Sequence, residues 1–198
     1  VWGTSVKSSS ESLSSDDFAL KQADHMSDLL RDIPGVDVGG THSVNQRINI
    51  RGLDETDLDI RLDGASQNAN MFHHVGNLTL NPDIIKSADI QVGANSVTSN
   101  AIGGSVYFET KDAKDLLRYA ETYGPRVYGG IGSNAFSTGS LTAYGKLSDS
   151  GDALVYLYGI KRSNFKDGDG TETIGSEGQV NNLLAKAGWD IDEAQRIE

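Results

Sequence analysis

The sequence predicts a small α+β domain, a mixed sheet with short helices, followed by antiparallel β-strands of the kind that build a barrel. Three observations predict it. An apolar series at helical spacing comes early, short period-2 runs separated by turn residues fill the middle, and beyond Lys111 the strands lengthen and become rich in tyrosine. The expected organisation is a loosely held N-terminal arm over 1–15, a compact domain over 16–111, and the first barrel strands, about four, over 112–198.

Within the arm, Val1 to Ser15 is serine-rich and lacks sustained periodicity, so it buries too little apolar surface to offset its ordering entropy. Ala23, Met26, Leu30 and Ile33 then share one face of a short helix, which Pro34 and Gly35 are expected to end. From Val36 the pattern changes to strand-like runs at Val36 to Val38, Arg47 to Arg51 and Leu58 to Leu62. In the last, Leu58, Ile60 and Leu62 alternate with Asp59, Arg61 and Asp63, the signature of a half-buried strand. Asn81-Pro82-Asp83 opens a helical turn expected to run through Lys86, with further strands at Ala88 to Val92 and Ser105 to Glu109.

Six of the seven tyrosines lie past Lys111. There Leu141, Ala143, Gly145 and Leu147 alternate with Ser140, Thr142, Tyr144 and Lys146, and Leu183, Ala185, Ala187, Trp189 and Ile191 form a second such series. One face is apolar and the other largely polar. That pattern fits a soluble sandwich with a wet outer face as well as a membrane barrel with a polar lumen. A tight turn at Ser148 to Gly151 and a longer glycine- and charge-rich loop from Lys166 to Gly178 favour the barrel, whose turns are short on one side and whose loops are long on the other.

Composition narrows the function classes. A net charge of −11 over 198 residues, with no basic stripe, argues against a nucleic-acid partner, because phosphate binding rewards clustered Lys and Arg. The absence of cysteine removes disulfides, thiolate metal sites and thiol catalysis together. No basic and apolar leader precedes Val1, so any targeting peptide is expected to have been removed or to lie further upstream. The apolar stretch Ala153 to Ile160 falls far short of the roughly 20 residues of a helical span, so a membrane role requires a barrel.

Enzyme motifs fail on inspection. Gly139 to Leu147 imitates a phosphate loop but has one residue too many and lacks the magnesium-binding Ser or Thr. Asp167, Asp169 and Thr171 begin like a calcium loop, but Glu172 replaces its glycine and Gly178 its bidentate Glu. The chain is read as no enzyme and as needing no cofactor.

A series of blocks carries a family resemblance: Leu29 to Val36 (LLRDIPGV), Ile48 to Leu53 (INIRGL), Arg61 to Gly64 (RLDG), Leu80 to Val97 (LNPDIIKSADIQVGANSV), and Asn100 to Val106 (NAIGGSV), closing on Glu109-Thr110-Lys111. In this order they resemble the plug domain of TonB-dependent outer-membrane receptors, over roughly residues 29 to 111. The resemblance implies a plug inside a barrel of about 22 strands, a bacterial outer-membrane location with lipid around the barrel, and import of an iron chelate energised by TonB and its inner-membrane partners. The ligand is expected to be a ferric siderophore, with haem or a metal ion as the alternative. Four strands leave an open edge that is hazardous in water and unsatisfied in lipid, so the sequence is expected to be a section of a longer protein. The rival of another class is a soluble periplasmic or surface adhesion module with a β-rich tail.

By position relative to the matched blocks, the resemblance implies ligand contacts on three outward loops. These are Gly40 to Gln46 (His42, Ser43, Asn45, Gln46), Asp54 to Thr56 (Glu55), and Ala65 to Asn77 (Gln67, Asn68, Asn70, Met71, Phe72, His73, His74). His73 or His74 is the candidate to ligate haem iron or a bare metal through a neutral nitrogen. Adjacent residues on an extended loop point oppositely, so one of the two is expected to be packed or hydrogen-bonded instead. At the other end, Val1, Trp2, Gly3 and Thr4 are either the tail of the segment that pairs with TonB or a plain disordered start. Arg51 and Arg61, set among Asp57, Asp59, Asp63 and Glu109, are expected to form plug–barrel ion pairs, the other reading being solvated charge worth only ~0–1 kcal/mol per pair.

Overall fold

The computed structural model describes residues 10–21, 23, 25–42, 45–67, 81–93, 101–192 and 194–198, with the backbone alone at 10, 40–42 and 45. The chain divides into two compact units, Val1–Thr110 and Lys111–Glu198.

The first unit is built on a five-stranded mixed sheet. Its strands are β1 (Ser10–Leu13), β4 (Leu58–Leu62), β5 (Ala65–Ser66), β6 (Ile85–Val92) and β7 (Gly104–Thr110), in the order β1-β6-β7-β4-β5. The β4–β7 pair is parallel and the other neighbours are antiparallel. Two helices, α1 (Ser15–Lys21) and α2 (Met26–Leu30), and a separate hairpin of β2 (Val36–His42) and β3 (Asn45–Ile50) complete the unit.

Apolar spacing explains where the core sits. Met26, Leu29 and Leu30 on α2, Ile48 and Ile50 on β3, Leu58 and Ile60 on β4, Ile90 on β6 and Val106 on β7 are all buried in one cluster. Each such side chain is worth about 1.5–3 kcal/mol in burial. A five-residue helix is too short to hold itself together, so α2 exists because of that burial and its cap. His25 Nδ1 accepts the Ser27 N–H at 3.1 Å, and the Asp28 carboxylate accepts the His25 N–H at 3.3 Å.

Several expectations need correction. Ser10–Leu13, expected in the loose arm, is an edge strand paired with β6, with Leu13 in the core; its alternation is too short to register as a pattern. Residues 15–21 form α1, which seats Phe18 in the same core and holds Asp32 through Lys21 Nζ at 2.8 Å. The α2 helix ends at Leu30 rather than at Pro34, because Ile33 and Val36 close a turn of their own, Val36 N–H donating to Ile33 O at 3.1 Å. The helical turn after Asn81 spans only Pro82–Ile84, and Lys86 already lies in β6.

The recurrent glycines of the matched blocks have a geometric cause. Arg51-Gly52 and Asp63-Gly64 both carry positive φ at two successive residues (51° and 79°, 47° and 80°). That is the two-residue hairpin turn whose twist matches paired strands. Gly103-Gly104 lets backbones approach: a Cβ on Gly104 would fall 2.2 Å from the Gln91 carbonyl oxygen.

The second unit is a five-stranded antiparallel sheet: β8 (Tyr123–Gly132), β9 (Phe136–Lys146), β10 (Gly151–Arg162), β11 (Gly178–Asp190) and the short β12 (Arg196–Ile197), in the order β12-β11-β10-β9-β8. A short helix, α3 (Ala113–Leu116), precedes it. Its two faces decide between sandwich and barrel. Leu141, Leu157 and Leu183 lie opposite one another in register and are exposed, at 48%, 47% and 70%, whereas Thr142 is 0% and Ser140 6% exposed. A water-soluble sandwich would bury the leucines and wet the hydroxyls, so the faces are inverted as a lipid-facing barrel requires. No helix among the described residues is long and apolar enough to cross a membrane, and the four long strands, of 10 to 13 residues, match the length of a spanning strand.

Candidate functional site

Three loops are expected to meet a ligand. At the first, His42 and Asn45 are partners at the tip of the β2–β3 hairpin. Ser43 lies outside the described residues, as do the side chains of His42 and Asn45. Gln46 is only 1% exposed, and its Oε1 accepts the Met26 N–H at 2.6 Å. It satisfies one of the unpaired donors at the start of α2, an internal tie rather than an outward contact.

At the second loop Asp54 Oδ1 accepts the Glu55 N–H at 2.9 Å and caps the 3-10 turn Glu55–Asp57. Glu55 is 4% exposed. Burial, reinforced by the neighbouring Asp54 charge, pushes its carboxyl up to about 7, while Arg47 and the Ile48 N–H pull the other way. Arg47 Nε also lies 3.7 Å from Asp54.

At the third loop the described part ends at Gln67, whose N–H donates to Ile60 O at 2.9 Å and whose Nε2 donates to Ala65 O at 3.1 Å. Asn68, Asn70, Met71, Phe72, His73 and His74 lie outside the described residues, as do Val1, Trp2, Gly3 and Thr4. Among the described residues no three His, Asp or Glu side chains group closely enough to hold a metal ion.

The four residues expected in plug–barrel ion pairs are engaged or placed as follows. Arg61 Nη2 pairs with Asp59 at 2.9 Å and its guanidinium lies over the Tyr107 ring, 5.3 Å from the centroid. The Tyr107 hydroxyl donates to the same carboxylate at 3.0 Å. The Arg61 hydrogen bond first, and then the Tyr107 hydroxyl, hold Asp59 below the usual carboxylate range. Asp63 accepts the Thr110 N–H and hydroxyl at 2.8 and 2.7 Å, pinning the β4–β5 turn to the end of β7. Glu109 lies 3.5 Å from Lys86 and accepts the Ser87 hydroxyl at 3.0 Å. Arg51 is exposed in its hairpin turn.

Of the Asp59–Arg61–Tyr107 group, the sequence offers Asp59 and Arg61 as ion-pair candidates but not Tyr107. The i, i+2 spacing of Asp59 and Arg61 places them on one strand face and was a usable signal. Tyr107 enters only through the parallel register of β4 and β7, which spacing does not reveal.

Residues 4–105 match the family model described as the TonB-dependent Receptor Plug Domain. The chain belongs to the TonB-dependent receptors, proteins of the bacterial outer membrane. It is 35% identical over 179 residues to the "Heme transporter BhuA" of Brucella suis, covering 89% of this chain and 27% of that one. It is 32% identical over 175 residues to the "Hemin receptor" of Yersinia enterocolitica, covering 86% of this chain and 25% of that one. Among solved structures, the FrpB iron transporter from Neisseria meningitidis superposes with a TM-score of 0.76 at 26% identity, over 88% of this chain and 28% of that one. The chain thus spans about a quarter of the length of these relatives. Their names are those of transporters and receptors rather than enzymes.

Proposed function

We propose that the receptor to which this chain belongs imports haem iron across the outer membrane, energised by TonB, with the first unit as the plug and the second as the opening strands of the barrel wall. The observation that carries the haem reading is the 35% identity to a haem transporter, sustained across 89% of the chain and hence through both units. Ferric siderophore, the ligand expected from the family resemblance alone, is the second reading; the FrpB iron transporter, a solved relative not named for haem, favours keeping it.

In this reading His42, Ser43, Asn45, Gln67, Asn68, Asn70, Met71, Phe72, His73 and His74 face the ligand, with one imidazole on the iron and Phe72 against the porphyrin plane. Gln46 and Glu55 are buried instead, the one fixing the start of α2 to β3 and the other lying within the 3-10 turn that Asp54 caps. Val1 to Thr4 belong to the segment TonB grips. Ligand binding drives gating only through its differential affinity for the plug's conformations.

The test is a titration of the full-length receptor with haem, followed by its Soret band, beside a ferric siderophore followed by fluorescence quenching. A saturable Soret shift that His42→Ala, His73→Ala or His74→Ala weakens at least tenfold supports haem ligation. Tight siderophore binding with no Soret change would transfer the assignment to the second reading.

A further inference from the structure

Just past Thr110 the chain enters the second unit through α3, and that helix is tied down by charge. Asp112 meets Lys186 Nζ at 2.7 Å, with the two side chains only 10% and 11% exposed. Lys114, one turn-half further on, pairs with Asp190. Both partners stand on β11 four residues apart, hence on one face of the strand.

The pairs continue into a clamp on the neighbouring strands. Arg196 on β12 donates to Asp152 on β10 through Nη1 at 2.8 Å and Nη2 at 3.0 Å, and through Nη1 to Asp190 at 3.2 Å. Its Nε donates to Glu198 at 2.8 Å, and Glu198 lies 3.6 Å from Lys186. Gly188 is the seat that permits this: a Cβ there would fall 1.8 Å from Arg196 Nη2. Asp152 is 3% exposed. Isolated surface pairs contribute little, but these share partners, and Asp112, Lys186 and Asp152 are shielded, so removing the partner of one of them strands a charge that has little access to water.

We propose that this network is a mechanical latch: it fixes the linker helix to β10–β12, so that traction on the N-terminal unit is relieved upstream of Lys111 and does not reach the strands. The latch rests on the transport reading only for the origin of the traction. Its elements all belong to the second unit. A linker held this way lets the plug rearrange or unfold as far as Thr110 and be recovered, because the strand register beyond it never moves.

The test uses the full-length receptor in lipid vesicles. Hydrogen exchange of amides 111–117 should match the slow exchange of β10 and β11 in the native protein. Lys186→Met should raise it at least tenfold while leaving β4 and β7 unchanged, and the double swap Asp112→Lys with Lys186→Asp should restore protection. When the chain is pulled through a handle attached at Val1, extension should stop within about 385 Å, the full reach of the 110 residues from Val1 to Thr110, and should run past it in Lys186→Met. Linker exchange unchanged by Lys186→Met, or native extension passing that length at the same force, overturns the latch. A receptor that TonB does not bind sinks the transport reading instead, and leaves the exchange result to judge the latch.

Discussion

The two units use the same β alternation for opposite ends. In the first, Leu58 and Ile60 on β4 are buried and belong to one dense core with Leu29, Leu30, Ile48 and Ile90. In the second, Leu141, Leu157 and Leu183 stand outward in register while Ser140 and Thr142 are covered. Period-2 patterning reports that a strand has two unlike faces, and says nothing about which face meets water, lipid or protein. The difference teaches that the solvent, and not the pattern, defines inside and outside.

The sharpest break of that comparison comes from backbone approach in the first unit. Gly104→Val places a side chain where the Gln91 carbonyl stands, at a φ of +134° that L-residues avoid. The expected loss is about 4 kcal/mol or more, read as rapid proteolysis of residues 1–110 in the full-length receptor with the strands of the second unit still resistant. Equal resistance of both units would mean that β6 and β7 part easily at this point.

Next in size is a matched pair of leucines. Leu30→Ala removes a fully buried side chain and should cost about 2–5 kcal/mol. Leu183→Ala removes one that is 70% exposed and should change stability by less than about 1 kcal/mol in lipid. Leu183→Arg, by contrast, should impair membrane insertion, since a charge on the lipid face costs about 2–4 kcal/mol near mid-bilayer. If Leu183→Arg assembled normally, the outward assignment of that face would fall.

Much of this was readable from residues alone, and the exceptions have physical causes. The β4 strand was legible at both ends because Leu58, Ile60 and Leu62 alternate cleanly and Asp63-Gly64 is a strong turn. The Gly103-Gly104 pair of the NAIGGSV block sits where backbones approach closely, which few other residue types tolerate. In contrast, β1 was hidden, since four residues among serines carry no periodicity and acquire strand form only from β6. Position relative to the matched blocks puts Gln46 on an outward loop; its burial follows from an unpaired N–H at Met26, twenty residues away, which no local pattern encodes. The expectation of ligand contacts at 68–74 lies outside the described residues.

That hidden tie supplies a smaller test. Gln46→Met keeps most of the volume but leaves the Met26 N–H without its acceptor, for an expected loss of about 1–3 kcal/mol. Exchange of the α2 amides should rise more than that of β7. A uniform rise across the unit would mean that Gln46 supports the core as a whole rather than the start of the helix.

The smallest effect concerns Glu55, and its sign is fixed by which state holds the proton. Its carboxyl is raised from 4.5 to about 7 by burial and by the Asp54 charge, so between those two values the folded unit keeps a proton that the unfolded chain releases. Stability of the hairpin and its 3-10 turn is therefore full below about pH 4.5 and lost as pH rises through about 7, the reverse of a salt-bridged carboxylate. Glu55→Gln removes the ionisable group, so the variant should show a flat urea midpoint over that window and exceed the native protein at pH 8, by a margin that grows from pH 5 upward. A probe placed in the β2–β3 hairpin of the full-length receptor reads it. If the native midpoint also stayed flat from pH 5 to 8, Glu55 would have to reach water in the folded state, and its buried place in the 3-10 turn would have to open.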